Sequence, residues 1–435
     1  MLGLDNLSIN RRLVEKLEVV VTVFWLLYFT GVRVPPPLPE SLVNALSYPF
    51  IAILVILHWK RLSWFATRDI PLLLLVGMAL ASLFWSVAPE FTLDFNRGLL
   101  RTFMFGAYLA TRYSLKEQMK ILTWVFGIGA ILNLVVALAI PSYGVTDEGA
   151  FVGLFPYKNY MGYTMVLGAI TFLLTAFQER KPNWLAWSGF CLTVALIVLA
   201  RSSGSLVCLL VLLALMPLYW LIKLHYKTKV ILLCLVCILA GSAAIIIFGN
   251  LETILVNILG KNIEFNGRTP LWTLIIEKVV EERPWLGYGM NAFWKSDAGL
   301  YVITNTWAKS RETFLSQSFN FHSGYMPVFS GLGFLGISLY AITLVTVFIR
   351  VVILLLSTKQ KEFFWCLQFL IFIIVGGFAD DIVSILNTSS YCVIYVSICL
   401  LTAIEWRRIK VNQKRYVSTN LTKLDPSHSS ESKIS

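Results

Sequence analysis

The dominant pattern along this chain is a series of long apolar runs separated by short polar segments. Runs of about 18 or more apolar residues are long enough to cross a hydrocarbon core of roughly 30 Å as helix. The pattern predicts about twelve such spans, centred near Phe24, Ile51, Gly77, Met104, Ala130, Gly168, Ala195, Leu213, Cys237, Gly336, Ile371 and Tyr395. The first run is short and has Glu15, Lys16 and Glu18 at its start, so the series loses one span if that run does not cross.

The arrangement of the runs predicts an all-α polytopic membrane protein in four parts. An N-terminal transmembrane bundle of about nine spans covers 1–248, and a loop with amphipathic helices, 249–325, follows it. Three spans occupy 326–405, and 406–435 form a basic, disordered tail. In the loop, the apolar positions from Leu251 to Leu259 predict one short helix. A second helix is predicted from Thr269 as cap and Pro270 at its first position to a stop at Pro284.

Composition and charge support this class and give an orientation. The chain is 57% hydrophobic and only 14% charged, with a mean hydropathy of +0.74, which is too apolar for a water-soluble globule. Basic residues of short loops accumulate on the cytoplasmic side, and a cytoplasmic N-terminus places seventeen of them inside against five outside. Both termini are therefore predicted in the cytoplasm and the loop 249–325 outside. These loops and the tail account for most of the net charge of +12, so no nucleic-acid partner is implied.

Cationic residues on the predicted outer face are candidates for chemistry. Arg97 and Arg101 flank the start of the fourth span, Lys158 and Asn159 precede the sixth, and Arg201 ends the seventh. An arginine fork matches phosphate oxygens, so a cluster of this kind suits a lipid-linked phosphate or pyrophosphate. The alternative is that each arginine reaches the headgroups or pairs with a nearby acid such as Glu90, Asp94, Asp380 or Asp381.

The predicted outer loop adds a base and a further cation, His322 and Arg268. An imidazole with a pKa near 6.5 is suited to take a proton from a sugar hydroxyl, although a histidine at a loop-to-helix junction also commonly satisfies backbone groups. No Asp-x-Asp, Walker lysine loop, His-Glu-x-x-His or Gly-x-Ser-x-Gly occurs, so the sequence lends no support to metal-bridged nucleotide-sugar transfer, ATP hydrolysis, zinc proteolysis or serine esterase chemistry.

An ordered set of motifs gives the chain a family resemblance. The set consists of Gly153-Leu-Phe-Pro-Tyr-Lys158-Asn159-Tyr-Met-Gly162, Asn266-Gly-Arg268-Thr-Pro-Leu-Trp272, Arg283-Pro-Trp-Leu-Gly287-Tyr-Gly289-Met-Asn-Ala-Phe293-Trp294, Phe321-His322-Ser-Gly-Tyr325 and Gly331-Leu-Gly333-Phe-Leu-Gly336. It resembles the O-antigen ligase and polymerase superfamily, and the Lys158-Asn159 motif is similar to that of its exopolysaccharide-polymerase branch. Ser323 follows His322, whereas the family often has asparagine there.

The resemblance implies a metal-independent, inverting glycosyltransferase with a GT-C-like helical fold and no cofactor. It would act in the bacterial inner membrane, with its active site outside, and move a glycan from undecaprenyl pyrophosphate to the hydroxyl of a glycan or a lipid A-core type acceptor. His322 would be the catalytic base and Arg201 and Arg268 would bind the pyrophosphate, while Lys158, Asn159, Arg97 and Arg101 would line the substrate groove. Membrane lipids and polysaccharide export machinery are the other expected partners.

Three functions stay open at this stage. The enzyme is a polymerase or a ligase, since both use the same donor and differ in acceptor. A lipid-linked oligosaccharide flippase or transporter would also need spans and basic patches. The third is a scaffold of an export complex, for which replacement of Arg268 or His322 would be tolerated.

Overall fold

A computed structural model describes residues 2–33, 39–177, 183–224, 268–306 and 319–424. Within these ranges the chain is helical and contains no strand, apart from an isolated bridge between Val145 and Phe151. The prediction of an all-α architecture is therefore confirmed for the described part.

The helices follow the apolar runs of the sequence. They are α1 (Leu2–Phe29), α2 (Glu40–Ala66), α3 (Ile70–Ala81), α4 (Pro89–Arg112), α5 (Leu115–Ala139), α6 (Pro141–Gly144), α7 (Lys158–Ala176), α8 (Trp184–Leu199), α9 (Ser203–Ala214), α10 (Met216–Lys223), α11 (Arg268–Glu282), α12 (Asp297–Thr304), α13 (Met326–Thr358), α14 (Lys361–Gly377) and α15 (Ser390–Leu424). Local signals fix several ends: Asp69 accepts a hydrogen bond from the Leu72 amide at the start of α3, and Ser114 and Glu117 form a capping box on α5.

Four helical stretches in the described ranges are long and apolar enough to cross a membrane. They are Glu40–Ala66, Leu115–Ala139, Ser203–Leu221 and Met326–Thr358, and Ile70–Phe84 and Trp184–Leu199 are shorter apolar helices. The chain is thus a membrane protein, whereas about twelve spans and the four-part division stay predictions. The ninth predicted span, near Cys237, and the predicted helix from Leu251 to Leu259 lie outside the described residues.

Two ion pairs join helices at one end of the bundle. Arg350, near the end of α13, pairs with Asp69 at the start of α3. Arg112, at the end of α4, pairs with Glu18 of α1 at 2.8 Å. This end contains many of the basic residues that the sequence predicts on the cytoplasmic side. The start of α13, at Met326, marks the opposite end of the bundle.

A small cap at that opposite end has its own apolar core. The core buries Leu271, Ile275 and Val279 of α11 with Phe293 and Trp294 of the segment that follows, and other members are Tyr288, Ala298, Val302, Ile303, Phe319, Phe321 and Phe329. Helix α11 confirms the predicted second loop helix, which begins beside Pro270 and ends before Pro284. The cap packs separately from the main core of the bundle, and α13 contributes to both.

The two glycine-rich motifs of the sequence meet backbone to backbone where the cap joins α13. The Tyr288 amide donates to the Ser330 carbonyl and the Gly289 amide to the Gly331 carbonyl, both at 2.9 Å. Gly287 has a φ of +65°, and a Cβ there would lie 2.6 Å from the carbonyl carbon of Gly331. The glycines at 287 and 289 therefore serve close packing and the turn of the chain, the commoner role of an isolated Gly-x-Gly.

Candidate functional site

Four separate chain segments converge beside the cap. They are the start of α11 with Arg268, the loop before α13 with His322, the start of α7 with Lys158 and Asn159, and the loop between α14 and α15 with Asp380 and Asp381. These segments are far apart in sequence, and each is the end of a helix or a connection. The helices thus bring polar side chains from distant positions to one end of the bundle.

Arg268 links the cap to the loop after α14. Its Nη1 donates to the Ala379 carbonyl at 2.7 Å, and its side chain is close enough to lower the pKa of His322. Trp272, from the same sequence motif as Arg268, also contacts the site: its Nε1 donates to the Phe321 carbonyl at 2.8 Å. Helix α11 therefore supplies a cation and holds the segment that carries the histidine.

His322 occupies a constrained backbone position between the cap and the bundle. Its φ is +51°, and its amide donates to Asn320 Oδ1 at 2.6 Å. Two residues later the Gly324 amide donates to the Gly377 carbonyl at 2.7 Å, at the end of α14. A positive φ at a residue other than glycine is uncommon and costs free energy that surrounding contacts must offset. These contacts fix the backbone at His322, and the imidazole lies close enough to Arg268 and Asp380 for both charges to act on its pKa.

The surroundings of His322 favour its neutral form. Burial is the largest cause that lowers the pKa of the imidazole, the positive charge of Arg268 lowers it further, and the carboxylate of Asp380 acts in the opposite direction. A neutral imidazole at pH 7 is able to accept a proton.

Ser323 contacts the bundle as well. Its hydroxyl donates to the Gly377 carbonyl at 3.3 Å and accepts from the Tyr325 amide at the same distance. The residue that departs from the family pattern is thus engaged with the end of α14.

An adjacent pair of carboxyl groups completes the cluster, and the sequence reasoning missed it as part of a site. Asp380 is fully buried and accepts a hydrogen bond from Asn159 Nδ2 at 2.7 Å, while Asp381 Oδ2 faces the Phe321 amide at 3.4 Å. Burial and the neighbouring Asp380 raise the pKa of the Asp381 carboxyl. Two adjacent acids directly after an apolar run were the available signal, because burying charge at the end of a span is costly.

Arg201 and Lys158 meet at Glu148. Lys158 Nζ lies 3.0 Å from Glu148 Oε2, and Arg201 Nη1 donates to the Glu148 carbonyl at 2.5 Å. Arg201 itself has a φ of +50°. The next residue, Ser202, donates from Oγ to Asn159 Oδ1 at 3.0 Å, and Asn159 in turn bonds Asp380. Arg201 and Lys158 are thereby connected to the loop that Arg268 contacts.

Arg97 and Arg101, also predicted to line the groove, make other contacts. Arg97 is exposed and pairs with Asp94 at 3.2 Å. Arg101 is buried, contacts Asn44, donates to Ser47 at 2.8 Å and lies over the ring of Tyr48. Arg101 thus packs α4 against α2, and the structure does not bring these two arginines into contact with the cluster of Arg268, His322, Asn159 and Asp380.

The site combines an imidazole whose surroundings favour its neutral form, the buried carboxyl group of Asp380, the half-buried one of Asp381 and several cations, at one end of an apolar helical bundle. Such a combination defines a helical membrane protein with a site suited to proton transfer next to an anionic group. Residues 188–341 match the family model described as O-antigen ligase, and this match confirms the predicted resemblance to the O-antigen ligase and polymerase superfamily. The matched range contains Arg201, Arg268 and His322. A search of curated proteins finds no match to the chain.

The family match supports surface polysaccharide biosynthesis of the O-antigen ligase type, with glycosyl transfer as the general activity. It also supports lipid-linked glycans and polysaccharides as the substrate class, in a membrane.

Proposed function

We propose that this protein transfers a glycan from undecaprenyl pyrophosphate to an acceptor hydroxyl, as a ligase or polymerase of surface polysaccharide on the outer side of the bacterial inner membrane. The observation that carries the proposal is the convergence of Arg268, His322 and Asp380, from three distant chain segments, within a chain that matches the O-antigen ligase family. A flippase would need no base at that position.

The reaction is a single displacement at the anomeric carbon. The acceptor oxygen forms the new bond to that carbon while the bond from carbon to pyrophosphate oxygen breaks, and the electron pair leaves with the lipid pyrophosphate. His322 takes the proton of the acceptor hydroxyl. Attack from the face opposite the leaving group inverts the configuration. The lowered pKa of His322 keeps the imidazole free of a proton before the reaction.

The cations stabilise the charge that the leaving group gains. Arg268 is fixed by the Ala379 carbonyl and Arg201 by the Glu148 carbonyl, so both guanidinium groups are held before the donor arrives. Preorganised cations of this kind stabilise developing negative charge without reorganisation during the reaction. Lys158 would reach the same anion by exchanging the Glu148 carboxylate for phosphate oxygens.

The acid pair supports the base after proton transfer. The carboxylate of Asp380 favours the protonated imidazole electrostatically, and its hydrogen bond to Asn159 holds α7 against the loop. The raised pKa of Asp381 favours its neutral form, so the pair does not place two full negative charges beside the donor. Asp380 and Asp381 thus act as positioning residues for His322 and Asn159.

Reconstitution in liposomes tests the proposed function. Purified protein is supplied with a polyprenyl-pyrophosphate-linked glycan and an acceptor, without nucleotide and with EDTA present. The expected result is a new glycosidic bond and released lipid pyrophosphate. Relocation of the donor without a new bond would indicate a flippase, and transfer that stops with EDTA would contradict a metal-independent reaction.

Replacement of the candidate base, compared with a control variant at another histidine, tests the role of His322. His322→Ala is expected to lower transfer by about 100-fold or more, the usual contribution of a general base, while donor binding persists. His58→Gln, at a histidine of α2 outside the cluster, is the control and keeps full activity. Normal polymer from the His322→Ala protein would contradict the assignment.

A further inference from the structure

A cavity lies at the end of the bundle opposite His322. Its volume is about 470 Å³, within the range of roughly 300–1,000 Å³ that small-molecule sites occupy. Helices α5, α7 and α8 form its walls, and the first turn of α14 closes one end. Lys361 and Glu362 of that turn follow the C-terminal end of α13, whereas His322 precedes its start, so the cavity and the candidate active site are separate.

The wall formed by α5 is a single face of that helix. Lys116, Lys120, Thr123, Gly127 and Ile131 line it and recur every three or four residues, which is the spacing of one helical face. At 1.5 Å per residue this face extends about 22 Å. An acyl chain spans one leaflet, which is half of a hydrocarbon core of roughly 30 Å. The face on α5 is longer than that, so the cavity is long enough for an acyl chain.

The interior of the cavity is apolar and open at the side. A Cβ on Gly189 would lie 2.5 Å from the Phe172 ring, so this glycine leaves room for the ring as the floor, whereas a Cβ on Gly127 would lie at an ordinary contact distance of 3.4 Å. Trp124 and Leu185 form the rims and are 62% and 77% exposed. Exposed apolar rims on a membrane protein face lipid, so entry from the bilayer is open.

The polar end of the cavity carries net positive charge. Among the lining residues that the structure describes, Lys116, Lys120 and Lys361 lie there, and Glu362 is the one acid. The same end of the bundle holds the basic residues predicted in the cytoplasm, and the cytoplasmic leaflet is the one rich in anionic lipid. Length, apolar lining and charge thus agree on one kind of occupant.

We propose that this cavity binds an anionic membrane phospholipid, with its phosphate at Lys116, Lys120 and Lys361 and an acyl chain along α5. The site is independent of the proposed glycosyl transfer. Its role would be to seat α5, α7 and α8 against the inner leaflet.

Native mass spectrometry of the purified full-length protein in detergent tests the proposal. The probes are phosphatidylglycerol and phosphatidylcholine with the same acyl chains. Wild type is expected to retain phosphatidylglycerol preferentially. The double variant Lys116→Gln/Lys120→Gln is expected to lose about five- to thirtyfold of that retention, because each lysine at the surface contributes modestly to anionic-lipid binding. Its retention of phosphatidylcholine stays unchanged.

Two further variants make the result specific to the cavity. Gly127→Leu fills it without a backbone clash, since a Cβ there has only ordinary contact with Phe172, and is expected to lower retention of both lipids. Lys359→Gln removes an exposed lysine at the same end that does not line the cavity, and retention stays at the wild-type level. Monodisperse elution shows that each variant is folded.

Fluorescence gives a second measurement if a lysine variant fails to fold. Brominated phosphatidylglycerol is expected to quench the fluorescence of Trp124. The contribution of Trp124 is the quenching that wild type shows and Trp124→Phe lacks. Equal retention of both lipids by wild type, or an unchanged lysine variant, would overturn the proposal. A cavity filled by the protein's own residues would give that same result.

Discussion

At the scale of single residues, the candidate base depends on two neighbours with opposite charge. Burial and Arg268 lower the pKa of His322, and Asp380 raises it. The neutral imidazole is the form that accepts a proton, so activity falls as pH decreases through this pKa. Because the pKa is lowered, the acid limb of the pH profile is expected below the ordinary value of about 6.5.

Variants of the two neighbours should move this limb in opposite directions. Arg268→Gln removes a positive charge that lowers the pKa of His322, so the acid limb of the residual activity moves to higher pH. Asp380→Asn removes the charge that raises it, so the limb moves to lower pH. The measurement is kcat/KM across pH for each protein. If the acid limb of both variants stays at the wild-type pH, the group whose titration controls activity is not His322.

In the proposed function, the Glu148 side chain would compete with the donor for Lys158. This ion pair is largely exposed, so its loss should change stability by no more than about 1 kcal/mol. Glu148→Gln is therefore expected to lower the KM for the lipid-linked donor with stability unchanged, since Arg201 bonds the backbone carbonyl, which the substitution keeps. Glu281→Gln removes a similar exposed partner, that of Lys278, and serves as the control. An unchanged donor KM in Glu148→Gln would show that Lys158 does not contact the donor.

At the scale of elements, α13 contains a break that joins it to the cap. Gly333 has φ +63° and ψ −158°, a conformation outside the helix, and the Phe334 amide donates to the Pro284 carbonyl at 2.8 Å instead. The sequence predicts small residues for close packing at this position but not the break. The hydrogen bonds that replace those lost at the break come from Pro284 and Trp285. Hydrophobic periodicity within α13 does not reveal contacts with so distant a segment.

Gly333→Ala should be clearly destabilising. A Cβ there would lie 2.5 Å from the Pro284 carbonyl oxygen, and the backbone conformation itself excludes other residues at a cost of about 1–3 kcal/mol. Gly77→Ala in α3 is the control, since no atom lies within 4 Å of its added Cβ and alanine favours helix. Thermal melting in detergent is expected to show a lower melting temperature for Gly333→Ala only. Equal melting temperatures would contradict a required break.

At the scale of the whole molecule, the sequence predicts the helical class, the cap helix α11, and a cation and a base, Arg268 and His322, as candidate site residues in one loop. Apolar periodicity carries the first two, and chemical type carries the third. It did not predict Asp380 and Asp381 as members of the site, because their role depends on burial beside Asn159 and Phe321 from other segments. Arg97 and Arg101 carry the same charge as the cations of the cluster, so the sequence does not distinguish them. Only the three-dimensional structure shows that Arg101 instead contacts α2.

The two ends of α13 provide a test of orientation. Asn305, exposed in the cap, is predicted outside, and Gln360, exposed just after α13, is predicted in the cytoplasm. In a background without native cysteines, Asn305→Cys should react with a membrane-impermeant maleimide in spheroplasts, whereas Gln360→Cys should react only after permeabilisation. The reverse pattern would put His322 on the cytoplasmic side and remove its access to an outer acceptor.

The segment that carries His322 is hydrogen-bonded to the cap on one side and to the helical bundle on the other. Trp272 of the cap bonds the carbonyl of Phe321, and the end of α14 accepts the amide of Gly324. If the cap lifts from the bundle, the chain between these hydrogen bonds must stretch or turn, and the imidazole leaves its place beside Arg268. In the proposed reaction, a tilted cap would then leave the acceptor hydroxyl without the candidate base, which would protect the lipid-linked donor from hydrolysis while the site is open to water.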